Sequence, residues 1–380
     1  MAAQPQIEDG GRGRNADGPQ QIPAPGWKDV LWRTYREIND DRVTLIAAAV
    51  TYYLLLSLFP TITAFVSIYG LFADPATVSE HINLIAAVVP EGGMAIVNEQ
   101  LTKLTSTGGT TLGIALLTSV AIALWSASSG VKTMFEAMNV AYDERENRNF
   151  LVLNGTALLF TFGGIVGAML MISTAVLVPA VLASIGLGEG FEWLLRIGSY
   201  ALLALVLMLG LAALYRFGPS RQQAKWRWVS PGAILGTVII LVVSLLFSWY
   251  AANFGNFDAT YGSLGGLIAL LTWMWISVTA VIIGAELNSE AERQTERDST
   301  AGAESPLGQR NAVAADTVGE PAEKTRNEEN DFASKSSEWM AGFNAAKTKF
   351  KPQRRHSLGA MTAALPLSLA IGALRRRERK

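Results

Sequence analysis

Residues 229–252 read VSPGAILGTVIILVVSLLFSWYAA, a run without a single charged side chain. A helix of about 20 residues crosses the roughly 30 Å hydrocarbon core of a bilayer, and this run is long enough. Lipid offers no water to unpaired backbone groups, so such a run pairs its own N–H and C=O groups as a helix. Working outward, five further runs have the same character: Val43–Phe72, Leu112–Val131, Phe150–Leu182, Trp193–Tyr215 and Leu264–Leu287. The whole chain of 380 residues is 50% hydrophobic and only 17% charged, against about 25% charged in a soluble domain. The expected fold is therefore all-α, a polytopic membrane helical bundle of six transmembrane helices over residues 43–288.

The basic residues orient it. Of the 31 Lys and Arg, all but Lys103 and Arg196 fall in the N-terminal segment, the loops after the second and fourth spans, or the region after the sixth. Cytoplasmic loops carry such an excess, so both termini are expected on the cytoplasmic side, and six spans agree with that. The connection 73–111 is too apolar for a plain loop. Ile82, Ile85, Val88 and Val89 form one helical stripe, Met94, Val97, Leu101 and Leu104 a second, with Pro90 between them. This predicts an external helical hairpin, either a lid or a cap on the bundle.

Outside the spans, residues 1–25 are rich in Gly, Pro and Gln and are expected to be disordered. Residues 26–42 predict an amphipathic interfacial helix, with Trp27, Val30, Leu31, Tyr35 and Ile38 on one face and Lys28, Arg33 and Arg36 beside it. It either lies on an anionic bilayer surface or packs on the domain. Residues 289–356 are expected to form a disordered cytoplasmic tail. Residues 357–380 hold an apolar segment, interrupted by Pro366 and flanked by basic clusters, which suits anionic headgroups better than a crossing.

The inventory removes several chemistries. With no Cys there is no disulfide framework, thiolate nucleophile or Cys-ligated metal, and the two His, His81 and His356, are far apart. No HExxH, GxSxG or GxxxxGK[ST] string occurs, so the zinc hydrolase, elbow-type serine hydrolase and P-loop ATPase lose their signatures. No catalytic residue, cofactor, metal or nucleic-acid partner is expected, and a homo-oligomer is left open.

The polar content of the spans is mostly uncharged and clustered. Pro60 frees a carbonyl in the first span, which Ser57 or Thr61 is placed to satisfy. Tyr52, Tyr53, Ser57 and Pro60, with Trp125, Ser126 and Ser129 of the second span, then form either a substrate-pathway wall or a tight helix interface. The pairs Gly163/Gly167 and Gly232/Gly236 are spaced for close helix packing. Pro231 opens the fifth span as a first-turn residue. Tyr261 and Gly262 read as an external gate. Glu136, Asn139, Arg148, Glu286 and Asn288 gather on the cytoplasmic side as a polar cluster, with Glu136 and Asn139 on one helix face. Asp143, Glu144 and Glu146 read as a solvated acidic loop.

These strings carry a resemblance. Tyr52-Tyr53 with Ser57-Leu58-Phe59-Pro60 resembles the first-span signature of the YihY/BrkB family of bacterial inner-membrane proteins. Trp125, Glu136-Ala137-Met138-Asn139-Val140-Ala141-Tyr142 and Arg148-Asn149-Phe150 are similar to its second block. Pro219, Pro231-Gly232-Ala233, Tyr250, Tyr261-Gly262-Ser263-Leu264-Gly265 and Gly284-Ala285-Glu286-Leu287-Asn288 resemble its C-terminal half. The match runs from about Trp27 to Asn288. It implies a multi-pass inner-membrane protein, in a family linked to serum resistance and to lipid or solute transport and once labelled a ribonuclease. Secondary transport or lipid and solute translocation is the leading functional expectation. Envelope scaffolding is the alternative, and ribonuclease activity comes last.

Overall fold

The computed structural model describes residues 11–72, 111–185, 189–254 and 264–322, with a few helical residues around 335–341. Residues 1–322 form one compact unit and 323–380 another. Residues 73–110 of the expected hairpin, the gate residues Tyr261 and Gly262, and the segment 357–380 lie outside the described residues.

Among the described residues every regular element is helical and no strand forms; a single antiparallel bridge joins Ala224 to Thr300. In order these are α1 (Ala24–Asp40), α2 (Val43–Phe72), α3 (Thr111–Ala141), α4 (Phe150–Ile185), α5 (Glu189–Phe217), α6 (Trp226–Phe254), α7 (Gly265–Glu292) and the single turn α8 (Val313–Asp316). From α2 to α7 each helix packs on the next, and α7 closes the ring against α2.

Among the described residues four stretches are long and apolar enough to cross a membrane: Phe150–Met171, Ile197–Phe217, Trp226–Tyr250 and Gly265–Glu292. A fifth arises if α1 and the first half of α2, bent by 61° at residues 41–42, count as one. Ile197–Phe217 has a mean hydropathy of 2.3, yet only 6% of it is buried in the protein. Apolar side chains that point outward in such numbers need acyl chains as their solvent. The molecule is a multi-pass membrane protein.

Its close packing sits at one end, where α1, the α3–α4 and α5–α6 loops and the chain after α7 meet. We call this the basal end. Trp228, Tyr142, Tyr215, Phe135, Met138 and Ile282 are fully buried there. The helices join by polar contacts as well. The Tyr215 hydroxyl donates to the Val281 carbonyl at 2.9 Å, Trp275 Nε1 to Thr44 O at 2.9 Å, and Trp273 Nε1 to Ser244 Oγ at 3.1 Å. Bonds of this kind within a membrane are worth about 0.6 kcal/mol each.

Glycine sets the closest approach. A Cβ on Gly232 would overlap the Gly284 carbonyl oxygen, and one on Gly130 would overlap Ser57 Oγ. Gly236 likewise faces Tyr215 and Leu211, but Gly163 and Gly167 look onto open space. The spacing of four therefore marks an interface in α6 and none in α4. Helix α6 begins at Trp226, so Pro231 lies inside it rather than in its first turn. The donor that Pro231 lacks is replaced by Ser230 Oγ, which bonds to Arg227 O at 2.8 Å.

Two stretches expected to be disordered are folded. Residues 11–25 contain a 3-10 turn at Pro19–Gln21 and run into α1. Residues 289–322 continue from α7 and close over the basal end, with Gln294, Thr295, Ser299, Arg310, Ala314 and Ala315 buried. Their polar composition hides this because polar bonds hold the segment down. Arg310 donates to the carbonyls of Ser305, Arg297, Ala315 and Glu296. Arg14 donates to those of Arg293, Gln294 and Gly319.

Candidate functional site

Helix α1 turns a polar face inward. Gly26, Asp29, Val30, Arg33 and Thr34 are buried, whereas Leu31 and Tyr35 are exposed. An apolar stripe normally marks the packed face. Here the surface underneath is the charged end of α7, so the stripe is split and its outer part is free to meet lipid. Arg33 Nε pairs with Glu290 at 2.5 Å, and its terminal nitrogens reach Glu290 O, Gln294 Oε1 and Glu320 O. Arg12 pairs with Asp29 at 2.7 Å.

Helix α3 ends in a Schellman turn. Glu144 N–H bonds to Asn139 O, Asp143 N–H bonds to Val140 O, and Asp143 takes the left-handed φ of 54° that usually calls for glycine. That turn aims the Asp143 carboxylate at Arg293, which also pairs with Glu290 at 3.0 Å. Burial disfavours the charged Arg293, but Glu290 and Asp143 outweigh it and raise the guanidinium above its ordinary value.

Beside this turn Asn139 is buried. Its side chain accepts Ser220 N–H at 2.7 Å and donates to Glu146 at 3.2 Å. Arg148 grips Glu146 at 2.6 Å and caps α5 by donating to Phe217 O and Gly218 O. Burial alone would raise the Glu146 carboxyl, but the hydrogen bonds from Arg148 and Asn139 hold it down at about 2. Glu136 takes no part: it is exposed, although Asn139, three residues on, is buried. Asn139 and Arg148 thus come together through Glu146, a residue that composition assigns to solvent.

Asn288 bridges two helices, accepting Gly232 N–H at 2.7 Å and donating to Val229 O at 3.1 Å. Glu286, two residues earlier, is fully buried, and its Oε1 has no hydrogen-bond partner. The carboxyl of Asp41 is among its charged neighbours. Burial, then Asp143, raises Asp41. Burial, then Glu290, raises Glu37 to about 6. Sequence reasoning missed the partners Glu290, Glu292 and Gln294, and the only signal for them was the continuation of α7 past Asn288.

A cavity of about 790 Å3 opens at the basal end between the α3–α4 loop, the α5–α6 loop and residues 311–317. Arg148, Arg216, Arg221, Glu144, Asp316 and Ser220 are among its lining. Of the expected pathway, gate and polar-cluster residues that are described, only Arg148 reaches it; Glu144 and Pro219, noted in the sequence for other reasons, line it too.

The proposed wall residues divide. Ser57 is buried against Gly130 at the α2–α3 contact and donates to Leu54 O at 2.9 Å, while Thr61 donates to Ser57 O at 2.7 Å. Neither hydroxyl takes the Leu56 carbonyl that Pro60 leaves free. Tyr52, Tyr53 and Trp125 are exposed on the bundle surface. Trp125 packs on Phe150 and lies 5.5 Å from Lys132 Nζ, which bonds to Asn154 at 2.9 Å. Ser126 is half-buried, its carbonyl taken by exposed Ser129 at 2.7 Å.

Comparison with known proteins places this geometry in context. Residues 34–307 match the family model described as virulence factor BrkB. A ribonuclease-like protein, YfkH, of Bacillus subtilis is 32% identical over 64% of this chain and 88% of its own length. UPF0761 membrane proteins of Idiomarina loihiensis and Pseudoalteromonas translucida are 25% and 22% identical, each over 70% of this chain and 95% and 85% of their own lengths. No solved structure matches.

Proposed function

The chain belongs to the BrkB virulence-factor family of membrane proteins, and on that premise we propose that it translocates a lipid or solute across the bacterial inner membrane without catalysing a reaction. One observation carries this reading: a polar cavity of about 790 Å3 lies at the end of a bundle whose flanks are apolar and exposed. A polar pocket beside a lipid-facing surface suits a cargo with a polar head. In this proposal α2 to α7 make six crossings, and the basal end with both termini is cytoplasmic, in keeping with its basic residues. Tyr52, Tyr53, Ser57, Pro60, Trp125, Ser126 and Ser129 mark the path along α2 and α3. Tyr261 and Gly262 gate its outer end, and anionic headgroups meet the basic cytoplasmic segments.

Reconstitution into vesicles carrying a fluorescent phospholipid tests it. The protein should expose inner-leaflet probe to an external quencher, and Tyr52→Phe with Ser57→Ala should slow this. Quenching that stops at the outer leaflet, as in empty vesicles, refutes lipid translocation.

The word ribonuclease stays with YfkH. Here Asp143, Glu144 and Glu146 are each spent on structure, through Arg293, Val313 N–H and Arg148. Scaffolding through the C-terminal region is the second reading, favoured by the folded basal layer. Truncation after Ala322 isolates it, because a cut at 294 would strip buried partners from Arg14 and Arg33. Loss of the wild-type phenotype with a folded bundle would support scaffolding.

A further inference from the structure

We propose that the basal cavity is a binding site for a phosphate ester, with Arg216 as the residue that receives it and a phospholipid headgroup as its source. This goes beyond translocation and does not rest on it, because binding alone fills the site.

The cavity wall holds three guanidinium groups. Arg148 is neutralised by Glu146 at 2.6 Å, and Arg221 by Glu292 at 2.6 Å. Arg216 has no carboxylate partner among the described residues. It donates to Ala224 O and, at 3.3 Å, to Gln223 Oε1, and its buried Nε has no acceptor. A guanidinium carries five N–H donors in a planar fork, so most of this one is unspent. Its carbon lies 4.7 Å from the centre of the Trp226 ring and 5.4 Å from that of Phe217. Stacking occupies the face of the guanidinium and leaves its N–H edge for acceptors, the edge that matches two phosphate oxygens.

The opposing charges in the wall are already in use. Glu144 accepts Val313 N–H at 2.7 Å, and Asp316 accepts the N–H groups of Gly308 at 2.6 Å and Arg310 at 3.1 Å. Burial raises the Glu144 carboxyl, outweighing the bond from Val313.

The position favours a lipid. Arg216 is in the last turn of one candidate span, Trp226 opens the next, and Val152 and Thr156 come from the first two turns of a third. Wall residues contributed by two span ends, with Trp226 of the remaining one against Arg216, lie at headgroup depth, where Trp rings also settle. Phe150 and Leu151, at 67% and 79% exposure, continue the rim as an apolar surface for acyl chains. A cavity of this volume is within the range of about 300–1,000 Å3 that holds small ligands.

The full chain in detergent micelles is titrated calorimetrically with dioctanoyl phosphatidylglycerol, with inorganic phosphate, and with dioctanoylglycerol, which lacks the phosphate. The phospholipid should bind, Arg216→Gln should weaken it at least tenfold, and Arg216→Lys should weaken it less. Thr156→Trp fills the cavity from a half-buried helical position on its wall and should also cost tenfold or more. Dioctanoylglycerol should show no dependence on Arg216. Phosphate binding as tightly as the phospholipid, with the same Arg216 dependence, supports the site and makes its source soluble. Phospholipid affinity unchanged in folded Arg216→Gln and in Thr156→Trp overturns the proposal.

Discussion

Glu292→Gln removes one charge from the most deeply buried ion pair of the basal layer. Arg221 and Glu292 meet at 2.6 and 3.2 Å with side-chain exposures of 1% and 0%, and Ser299 Oγ adds a bond to the same carboxylate at 2.7 Å. The Arg221 guanidinium also covers the Tyr142 ring at 5.0 Å. Breaking such a pair leaves a cation buried without compensation, which costs about 3–5 kcal/mol. Gln keeps the shape and one acceptor, so the lower end, about 3 kcal/mol, is expected. For a domain of this size that is roughly 6–12 °C in melting temperature. Thermal unfolding followed by Trp fluorescence in detergent measures it. Because Glu292 also holds Ser299, limited trypsin digestion should cut at Arg297 or Arg310 sooner than in the parent protein. Arg221→Met with Glu292→Leu, which removes both charges, should recover most of the loss. Equal melting temperatures for the parent and Glu292→Gln, with no change in digestion, would refute the assignment of a stabilising role to this pair.

Glu146 titrates at about 2 in the folded protein, below its ordinary 4.5, so its stabilisation is complete above pH 4.5 and is lost as pH falls from there towards 2. Solvent reaches the group, which reduces the nominal shift to about 1–2 kcal/mol; the pH dependence of melting between 5 and 3 should flatten in Glu146→Gln. Gly232→Ala should sharply reduce the yield of folded protein, because its methyl meets the Gly284 carbonyl, whereas Gly163→Ala, facing open space, should be recovered at parental yield by size-exclusion chromatography.

The membrane bundle was legible because a charge-free run such as 229–252 has few alternatives in water or lipid. The basal layer was not. Composition assigns Glu290, Glu292 and Arg310 to solvent, and only the fold brings Arg33, Arg221 and four carbonyl groups to meet them. The stripe of α1 split for the same reason: Trp27, Val30 and Ile38 meet the core while Leu31 and Tyr35 stay exposed, and the sequence shows an apolar face but not whether protein or lipid will cover it. Asn139 and Arg148 were recognised as a polar pair, yet Glu146 that joins them looked like loop. Arg216 drew no notice, since its distinction is a missing partner.

Everything proposed for the basal cavity depends on the side of the membrane it faces. The chain has no Cys, so single cysteines report without background. Gln223→Cys in the exposed α5–α6 loop and Lys103→Cys in the connection before α3 are labelled with an impermeant maleimide in right-side-out and inside-out membrane vesicles. Six crossings with a cytoplasmic basal end predict that Gln223→Cys reacts only in inside-out vesicles and Lys103→Cys only in right-side-out ones. Labelling of both from the same side, or of Gln223→Cys from outside, would contradict the arrangement.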